Sequence, residues 1–160
     1  MNYQMGFHAV IAHPTLINQC CLAFNHPSQR TRSLVLDLLA AIALVRGGHQ
    51  EVLKALGNYK KICGELKRFE TLMKCFKEAD DSSLELQVAC MQFINIIVHS
   101  VDDMNYRVHL QWEFTLLGLD RRIRTLQHTK SDKLRVQVQA YLDNMFNVSN
   151  RSEERRGGKE

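Results

Sequence analysis

The sequence of 160 residues contains only two prolines, Pro14 and Pro27, so few positions force a break in a helix. Each proline stands where an apolar helical pattern restarts, which marks a boundary rather than a kink. No stretch alternates apolar and polar residues as a half-buried strand does. The N-terminus lacks the features of a signal peptide, and no later stretch is apolar for long enough to cross a bilayer. These absences predict a soluble, cytoplasmic, all-α protein.

Residue patterns typical of catalysis or metal binding are also missing. The seven histidines and five cysteines form neither an HxxxH pair nor a CxxC pair, so no zinc site is indicated. Gly157-Gly158-Lys159 is followed by Glu160, where a phosphate-binding loop needs serine or threonine. Cys90 and His99 fall on one predicted helix about 13 Å apart, too far for a thiolate and its base. We therefore predict no enzyme, no metal and no cofactor, and five free, mostly buried thiols.

Positive charge is the feature that would favour a nucleic-acid partner, although the formal net charge is only +4. The candidate cations are Lys60, Lys61, Lys67, Arg68, Arg121, Arg122 and Arg124. Glu65, Glu70 and Asp120 interrupt them, and no base-reading set of side chains repeats along the chain. A solvated helix surface explains these cations more simply. A nucleic-acid-binding α-solenoid is the alternative function that this pattern leaves open.

Apolar periodicity predicts nine helices along the chain. Their expected ranges are 1–12, 15–24, 29–46, 49–62, 67–78, 83–99, 103–117, 119–128 and 131–147. The longest apolar helices begin near residues 29, 83 and 131, and two shorter amphipathic helices precede each of them. This internal period predicts about three three-helix units stacked as a right-handed α-solenoid, with the third helix of each unit lining a concave groove.

The third helix of the middle unit carries an unusual polar stripe. In "LELQVACMQFINIIVHS", Gln92, Asn95 and His99 share one side of the helix, with Val88 and Met91 on or beside it. Water, a ligand or a partner protein could cover such a mixed surface, and the stacking of the units predicts that it lines the groove. In the alternative interpretation, Asn95 is a satisfied polar group inside a helical bundle.

Several strings in this sequence resemble a known family. The spacing of Ala89 and Asn95 in "ACMQFIN" is similar to the third helix of armadillo repeats, where the asparagine faces the groove. More specifically, "LLAAIALVRGGH", "VACMQFINIIVHSVDDMNYRVHLQ", "EFTLLGLD" and "VQVQAYLDNMF" resemble, in this order, the N-terminal armadillo-type regulatory domain of formin-like formins. This domain is also called the formin homology 3 or diaphanous-inhibitory-like domain. The resemblance covers residues 1–148.

The resemblance implies a regulatory domain of an actin-assembly factor. In such formins the groove holds a C-terminal autoregulatory amphipathic helix, of the same or a sister chain, until a Rho-family GTPase of the Cdc42 or Rac type releases it. Shifting the stripe by the repeat offset extends the expected partner-binding groove to the neighbouring units. The expected groove residues are Val35, Leu39, Ile42 and Arg46, then Val88, Met91, Gln92, Asn95 and His99, and finally Gln137, Tyr141 and Asn144.

The resemblance also implies that the sequence is a fragment. The upstream part that contributes GTPase contacts, the actin-binding half and the dimerising coiled coil have no counterpart here. We therefore expect this stretch alone to bind a GTPase weakly or not at all, and actin contact to belong to the absent C-terminal domains. The tail, 149–160, ends in "RSEERRGGKE", which has no apolar residue and is expected to be disordered. It resembles a sequencing or cloning artefact; a basic nucleic-acid-binding tail is the alternative.

Overall fold

Residues 3–146 are described here from a computed structural model of the chain, so the predicted disorder of 149–160 concerns residues outside this range. Nine α-helices occur within 3–146. They are α1 (Tyr3–Ile11), α2 (Pro14–Leu22), α3 (Gln29–Leu44), α4 (Gly48–Cys63), α5 (Glu70–Glu78), α6 (Leu84–His99), α7 (Met104–Leu116), α8 (Leu119–Leu126) and α9 (Asp132–Asn144). Short 3-10 turns at Ala23–Asn25 and Asp81–Ser83 complete the regular structure, and the described range contains no strand. The predicted all-α class is confirmed.

The helices form three successive units of three. Helix α3 packs against α6 and α6 packs against α9, so the third helices of the units lie side by side in one row. The first helices join consecutive units, because α4 packs on α2 and α3 while α7 packs on α6. This arrangement is the armadillo-like solenoid that the three-helix period predicts.

Side-chain caps fix where two of the third helices, α3 and α9, begin. The Ser28 hydroxyl accepts a hydrogen bond from the Thr31 amide at 3.3 Å, and the Ser131 hydroxyl accepts one from the Leu134 amide at 3.3 Å. Each bond satisfies an amide that the first turn of a helix leaves unpaired. The starts of α3 and α9 are therefore encoded locally.

The turn between α3 and α4 depends on two adjacent glycines. Gly47 has a φ of +81°, a left-handed conformation that other residues rarely adopt. At Gly48 the constraint is contact instead, since a Cβ atom there would lie 1.7 Å from the Ile42 carbonyl oxygen. The first two units therefore pack with α4 pressed against the end of α3.

The core runs through all three units, and the five cysteines are free thiols. Cys21, Cys75 and Cys90 are buried and Cys20 is half-buried, but Cys63 at the end of α4 is exposed. The prediction of free, mostly buried thiols therefore holds, with Cys63 as the exposed exception. Within the described range no helix combines the length and apolarity that crossing a membrane requires.

Candidate partner-binding groove

The row of third helices presents one open face, which we call the inner groove. Its members are exposed or half-buried side chains at helical spacing, and each helix contributes three positions. They are Leu34, Asp37 and Ala41 of α3, Glu85, Val88 and Gln92 of α6, and Lys133, Val136 and Ala140 of α9. Leu38, which is 45% exposed, borders the same face of α3. Because the three sets repeat the same spacing, these side chains follow one another across the row.

Between α6 and α9 the inner groove deepens into a depression of about 490 Å³. Its lining residues are Val88, Gln92, Asp132, Lys133, Val136 and Gln137. Val136 is 64% exposed in the absence of a partner. The depression therefore combines uncovered apolar surface with hydrogen-bonding groups, which is the composition of a peptide-binding groove.

Between α3 and α6 the inner groove is acidic. The pKa of the Asp37 carboxyl is raised above its usual value, first by partial burial and second by the negative charge of Glu85 on the neighbouring helix. Like charges held near each other destabilise both ionised forms. A cationic side chain of a bound partner would relieve this repulsion, so this part of the groove favours a basic group.

Asn95 does not point freely into the groove. Its Nδ2 donates to the Gln137 carbonyl oxygen at 2.8 Å and to Gln137 Oε1 at 3.0 Å. Its Oδ1 is buried and has no hydrogen-bond partner. Asn95 therefore joins α6 to α9, which agrees with the alternative interpretation of an internal polar group, although the fold is a solenoid rather than a bundle.

His99 is also engaged within the protein. Its ring lies 5.1 Å from the ring of Tyr141, and Arg107 Nη2 lies 3.4 Å from His99 Nδ1. Burial, with a smaller contribution from the Arg107 charge, lowers the pKa of His99 to about 4. His99 is therefore neutral at pH 7 and packs against α9 at the edge of the groove.

Met91 is fully buried, and its predicted place in the groove is wrong. It precedes Asn95 by one turn, so it lies on the flank of α6 that contacts α9. The polar stripe covers an arc of the helix, and Met91 falls just outside that arc, where the next unit covers it.

Val35, Leu39 and Ile42 are buried as well, so their predicted groove positions are corrected. The predicted alignment matched Val35 with Val88, whereas the open faces match Asp37 with Val88. A shift of two residues turns a helix by about 200°. The assigned residues consequently point into the core, and Leu34, Asp37 and Ala41 occupy the open face.

In the third unit the alignment was displaced by a single residue. Val136, rather than Gln137, corresponds to Val88, and a shift of one residue turns the helix by about 100°. Tyr141 is therefore buried against α6, and its groove assignment is also wrong, while Gln137 is half-buried on Asn95. Arg46 is exposed and lies just beyond the end of α3. Asn144 is exposed and is the last residue of α9. As partner contacts, those two residues stay predictions.

Exposed apolar side chains mark the proposed groove in the structure, but the sequence carries no signal that distinguishes them from core residues. Leu34 and Leu38 are 55% and 45% exposed, yet in the sequence they look like ordinary core leucines. Only the position of the α6 neighbour distinguishes them from Leu36 and Leu39, which are buried.

The residues described contain no cluster of histidine, cysteine, aspartate or glutamate able to hold a metal ion. Two of the candidate nucleic-acid-binding cations are used internally. Arg68 Nη2 forms an ion pair with Glu113 at 2.6 Å, and Arg122 donates to the Phe76 and Ala79 carbonyl oxygens at 3.1 and 2.7 Å. These contacts leave fewer cations free for phosphates than the sequence suggests.

Known proteins resemble this chain over nearly its whole length. Human Formin-like protein 2 is 57% identical over 148 residues, which is 92% of this chain and 14% of that protein. The Formin-like protein of Drosophila melanogaster is 52% identical over 149 residues, 93% of this chain and 13% of that protein. Mouse Disheveled-associated activator of morphogenesis 1 is 33% identical over 149 residues, 89% of this chain and 13% of that protein. The chain thus spans 13–14% of the length of these relatives.

The fold has a counterpart among solved structures. E. histolytica Formin1, crystallised bound to EhRho1-GTPγS, matches 93% of this chain and 56% of its own chain with a TM-score of 0.73 and 14% identity. At that identity the likeness concerns the fold alone. Residues 49–160 match the Diaphanous FH3 Domain family. The chain therefore belongs to the Diaphanous FH3 domain family and is an FH3 domain of the formin-like type.

Proposed function

We propose that this FH3 domain regulates a formin-like actin-assembly factor by holding a C-terminal autoregulatory amphipathic helix in the inner groove. The observation that carries the proposal is the open apolar surface along the row of third helices, with Val136 and Leu38 uncovered on α9 and α3. Surface of this kind gains stability when an amphipathic helix covers it. The domain itself would act by binding and not by catalysis.

The chemistry of the inner groove supports an amphipathic helix with a basic end. Val88 and Val136 offer apolar contacts near the exposed amide of Gln92. Asp37 and Glu85 add negative charge toward α3. We therefore infer that the apolar face of the helix covers α6 and α9, while a basic residue of the helix lies near the acidic pair.

In the intact protein, a Rho-family GTPase of the Cdc42 or Rac type would release the helix. Support for this part is the solved formin of the same fold, which carries a bound Rho GTPase. Because the GTPase and the helix would stabilise different states of one protein, their binding would be reciprocally coupled. The location that follows from this function is the actin cytoskeleton or the cell cortex.

The test is a calorimetric titration of the chain with the C-terminal autoregulatory peptide of human Formin-like protein 2. We expect Val136→Glu to abolish measurable binding, because the bound peptide would bury an unpaired carboxylate. The variant should keep the wild-type circular dichroism, since Val136 is exposed when the groove is empty.

The matched control is Trp112→Glu, another exposed apolar residue replaced by the same charge, on a helix that does not contribute to the inner groove. It should bind the peptide as the wild type does. Wild-type affinity in Val136→Glu, or equal losses in the two variants, would contradict the assignment of the helix to the inner groove.

A further inference from the structure

A second groove lies away from the row of third helices. It has a volume of about 570 Å³ and is formed by the end of α4, the loop that follows it, and one face of α7. We call this surface the side groove and define it by Lys60, Lys61, Leu66, Lys67, Trp112 and Leu116. The inner groove is built from α3, α6 and α9, so the two grooves share no helix.

Three large apolar side chains of the side groove face solvent. Leu66 is 85% exposed, Trp112 is 56% exposed and Leu116 is 49% exposed. Trp112 and Leu116 are one turn apart on α7 and therefore lie side by side. Uncovered apolar side chains that gather in a groove mark an interaction site more often than apolar residues scattered singly.

The loop that carries Leu66 is held in place by several contacts. The Glu70 carboxylate accepts hydrogen bonds from the backbone amides of Leu66 and Lys67, both at 2.9 Å. Phe69 adopts a left-handed φ of 71°, and its buried ring stacks on Phe114 at 4.4 Å. An unfavourable backbone conformation persists only where the surroundings enforce it. Leu66 is thus presented to solvent by an ordered loop.

The apolar side chains are bordered by cations. Lys60, Lys61 and Lys67 line the groove, whereas the only carboxylate in its lining, Glu113, is paired with Arg68. Positive charge also continues past Leu116, which borders a neighbouring groove whose charged lining residues are Lys77, Arg121, Arg122, Arg124 and one carboxylate, Asp120. The surface complementary to the side groove is therefore apolar at its centre and acidic at its margins.

We propose that the side groove is a docking site for an acidic amphipathic helix of a partner protein, distinct from the helix assigned to the inner groove. The apolar side chains of the partner helix, spaced by one turn, cover Leu66, Trp112 and Leu116. Its carboxylates reach the three lysines. A nucleic acid would match the lysines but would leave Leu66 without an apolar partner, which is why a protein helix fits this surface better.

The test uses the fluorescence of Trp112, the only tryptophan in the chain. The full chain is titrated with synthetic helical peptides that lack tryptophan and carry leucines on one face and glutamates beside them. Occupancy of the side groove removes Trp112 from water, so its emission should shift to shorter wavelength and its quenching by iodide should fall. The same peptides with lysine in place of glutamate should produce neither change.

Two variants of exposed residues locate the binding. Leu66→Ser and Lys61→Glu should each reduce the affinity for the acidic peptide by about tenfold or more. Their matched controls in the inner groove, Leu34→Ser and Lys133→Glu, should change the affinity by less than about twofold. All four variants should keep the wild-type circular dichroism, because each replaced side chain is exposed.

Two other classes of partner, a membrane and a nucleic acid, are tested in parallel. The probes are vesicles of phosphatidylserine and phosphatidylcholine and a single-stranded RNA oligonucleotide. If the vesicles or the RNA shift the Trp112 emission and the acidic peptides do so less, the proposal is contradicted. An acidic peptide series that leaves Trp112 unchanged, or an affinity that Leu66→Ser does not alter, would also contradict it.

Discussion

Asn95 in α6 donates two hydrogen bonds to Gln137 in α9, one to its carbonyl oxygen at 2.8 Å and one to its side-chain oxygen at 3.0 Å. The asparagine that the armadillo-like spacing assigns to a ligand thus joins two consecutive units. The open face beside it, at Val88, Gln92 and Val136, is where we propose that a partner binds.

Asn95→Asp should loosen the contact between α6 and α9. The new carboxylate cannot donate to the Gln137 backbone carbonyl oxygen, so repulsion between oxygens replaces that hydrogen bond, while the Gln137 side-chain amide can turn to donate to the carboxylate. We expect a loss of about 1–3 kcal/mol in the free energy of unfolding, measured by urea denaturation. Amide exchange should accelerate first in α9. Gln92→Glu, one turn away on the exposed side, is the control and should stay within about 0.5 kcal/mol of the wild type.

Met91→Glu and Phe93→Glu should both unfold the domain, because both side chains are fully buried. A buried carboxylate without a partner costs several kcal/mol, a large part of the stability of a small domain. Val136→Glu carries the same charge on an exposed position and should melt within a few degrees of the wild type. Thermal melts followed by circular dichroism compare the three. A folded Met91→Glu protein would show that α9 does not cover this flank of α6.

Two glycines of α4 should respond in opposite directions to the same substitution. Gly48→Ala would place a methyl group 1.7 Å from the Ile42 carbonyl oxygen, so the backbone must move and we expect a loss of about 1–3 kcal/mol or more. Gly57→Ala meets no atom within 4 Å and should gain about 0.5–1 kcal/mol from helix propensity. Denaturant titrations of both variants give the signs directly. A stable Gly48→Ala protein would contradict the close approach of α3 and α4.

His99 should make the stability of the domain depend on pH. Its pKa is about 4 in the folded protein and near 6.5 in an unfolded chain, so the unfolded chain binds the extra proton between these values. Stability should therefore be fully present above pH 7 and fall as the pH decreases toward 4. Because His99 is only half-buried, we expect an effect on the order of 1 kcal/mol between pH 7 and pH 5.

The comparison that isolates His99 is His99→Gln, which should flatten this part of the stability profile. An identical slope in the wild type and His99→Gln would show that another group is responsible.

The helices and their grouping could be predicted from the sequence because their signals are local. Ser28 and Ser131 immediately precede α3 and α9, and each serine hydroxyl caps the helix that follows it. The apolar period that identifies α3, α6 and α9 as third helices is a property of each helix separately. The repetition of this period along the chain also predicted the stacking of the three units, which the contacts between these helices confirm.

The groove residues were harder to predict because they depend on how neighbouring units align. Sequence spacing shows which residues share a face of α3, but it does not show which face α6 covers. Val35 and Leu34 are adjacent in the chain, and the packing of α6 buries the first and exposes the second. The same uncertainty applied to the polar stripe. Asn95 donates a hydrogen bond to Gln137 of α9, whereas Gln92 on the same stripe stays exposed.

The central claim is that the autoregulatory helix lies in the inner groove, and a site-specific photo-crosslink tests it most directly. A benzoylphenylalanine introduced in place of Gln92 lies within the depression between α6 and α9, and one introduced in place of Trp112 lies in the side groove. Both chains are irradiated with the same peptide as in the calorimetric titration. We expect the peptide to crosslink to position 92 and not to position 112. Crosslinking at position 112 alone, or at neither position while calorimetry shows binding, would contradict the account.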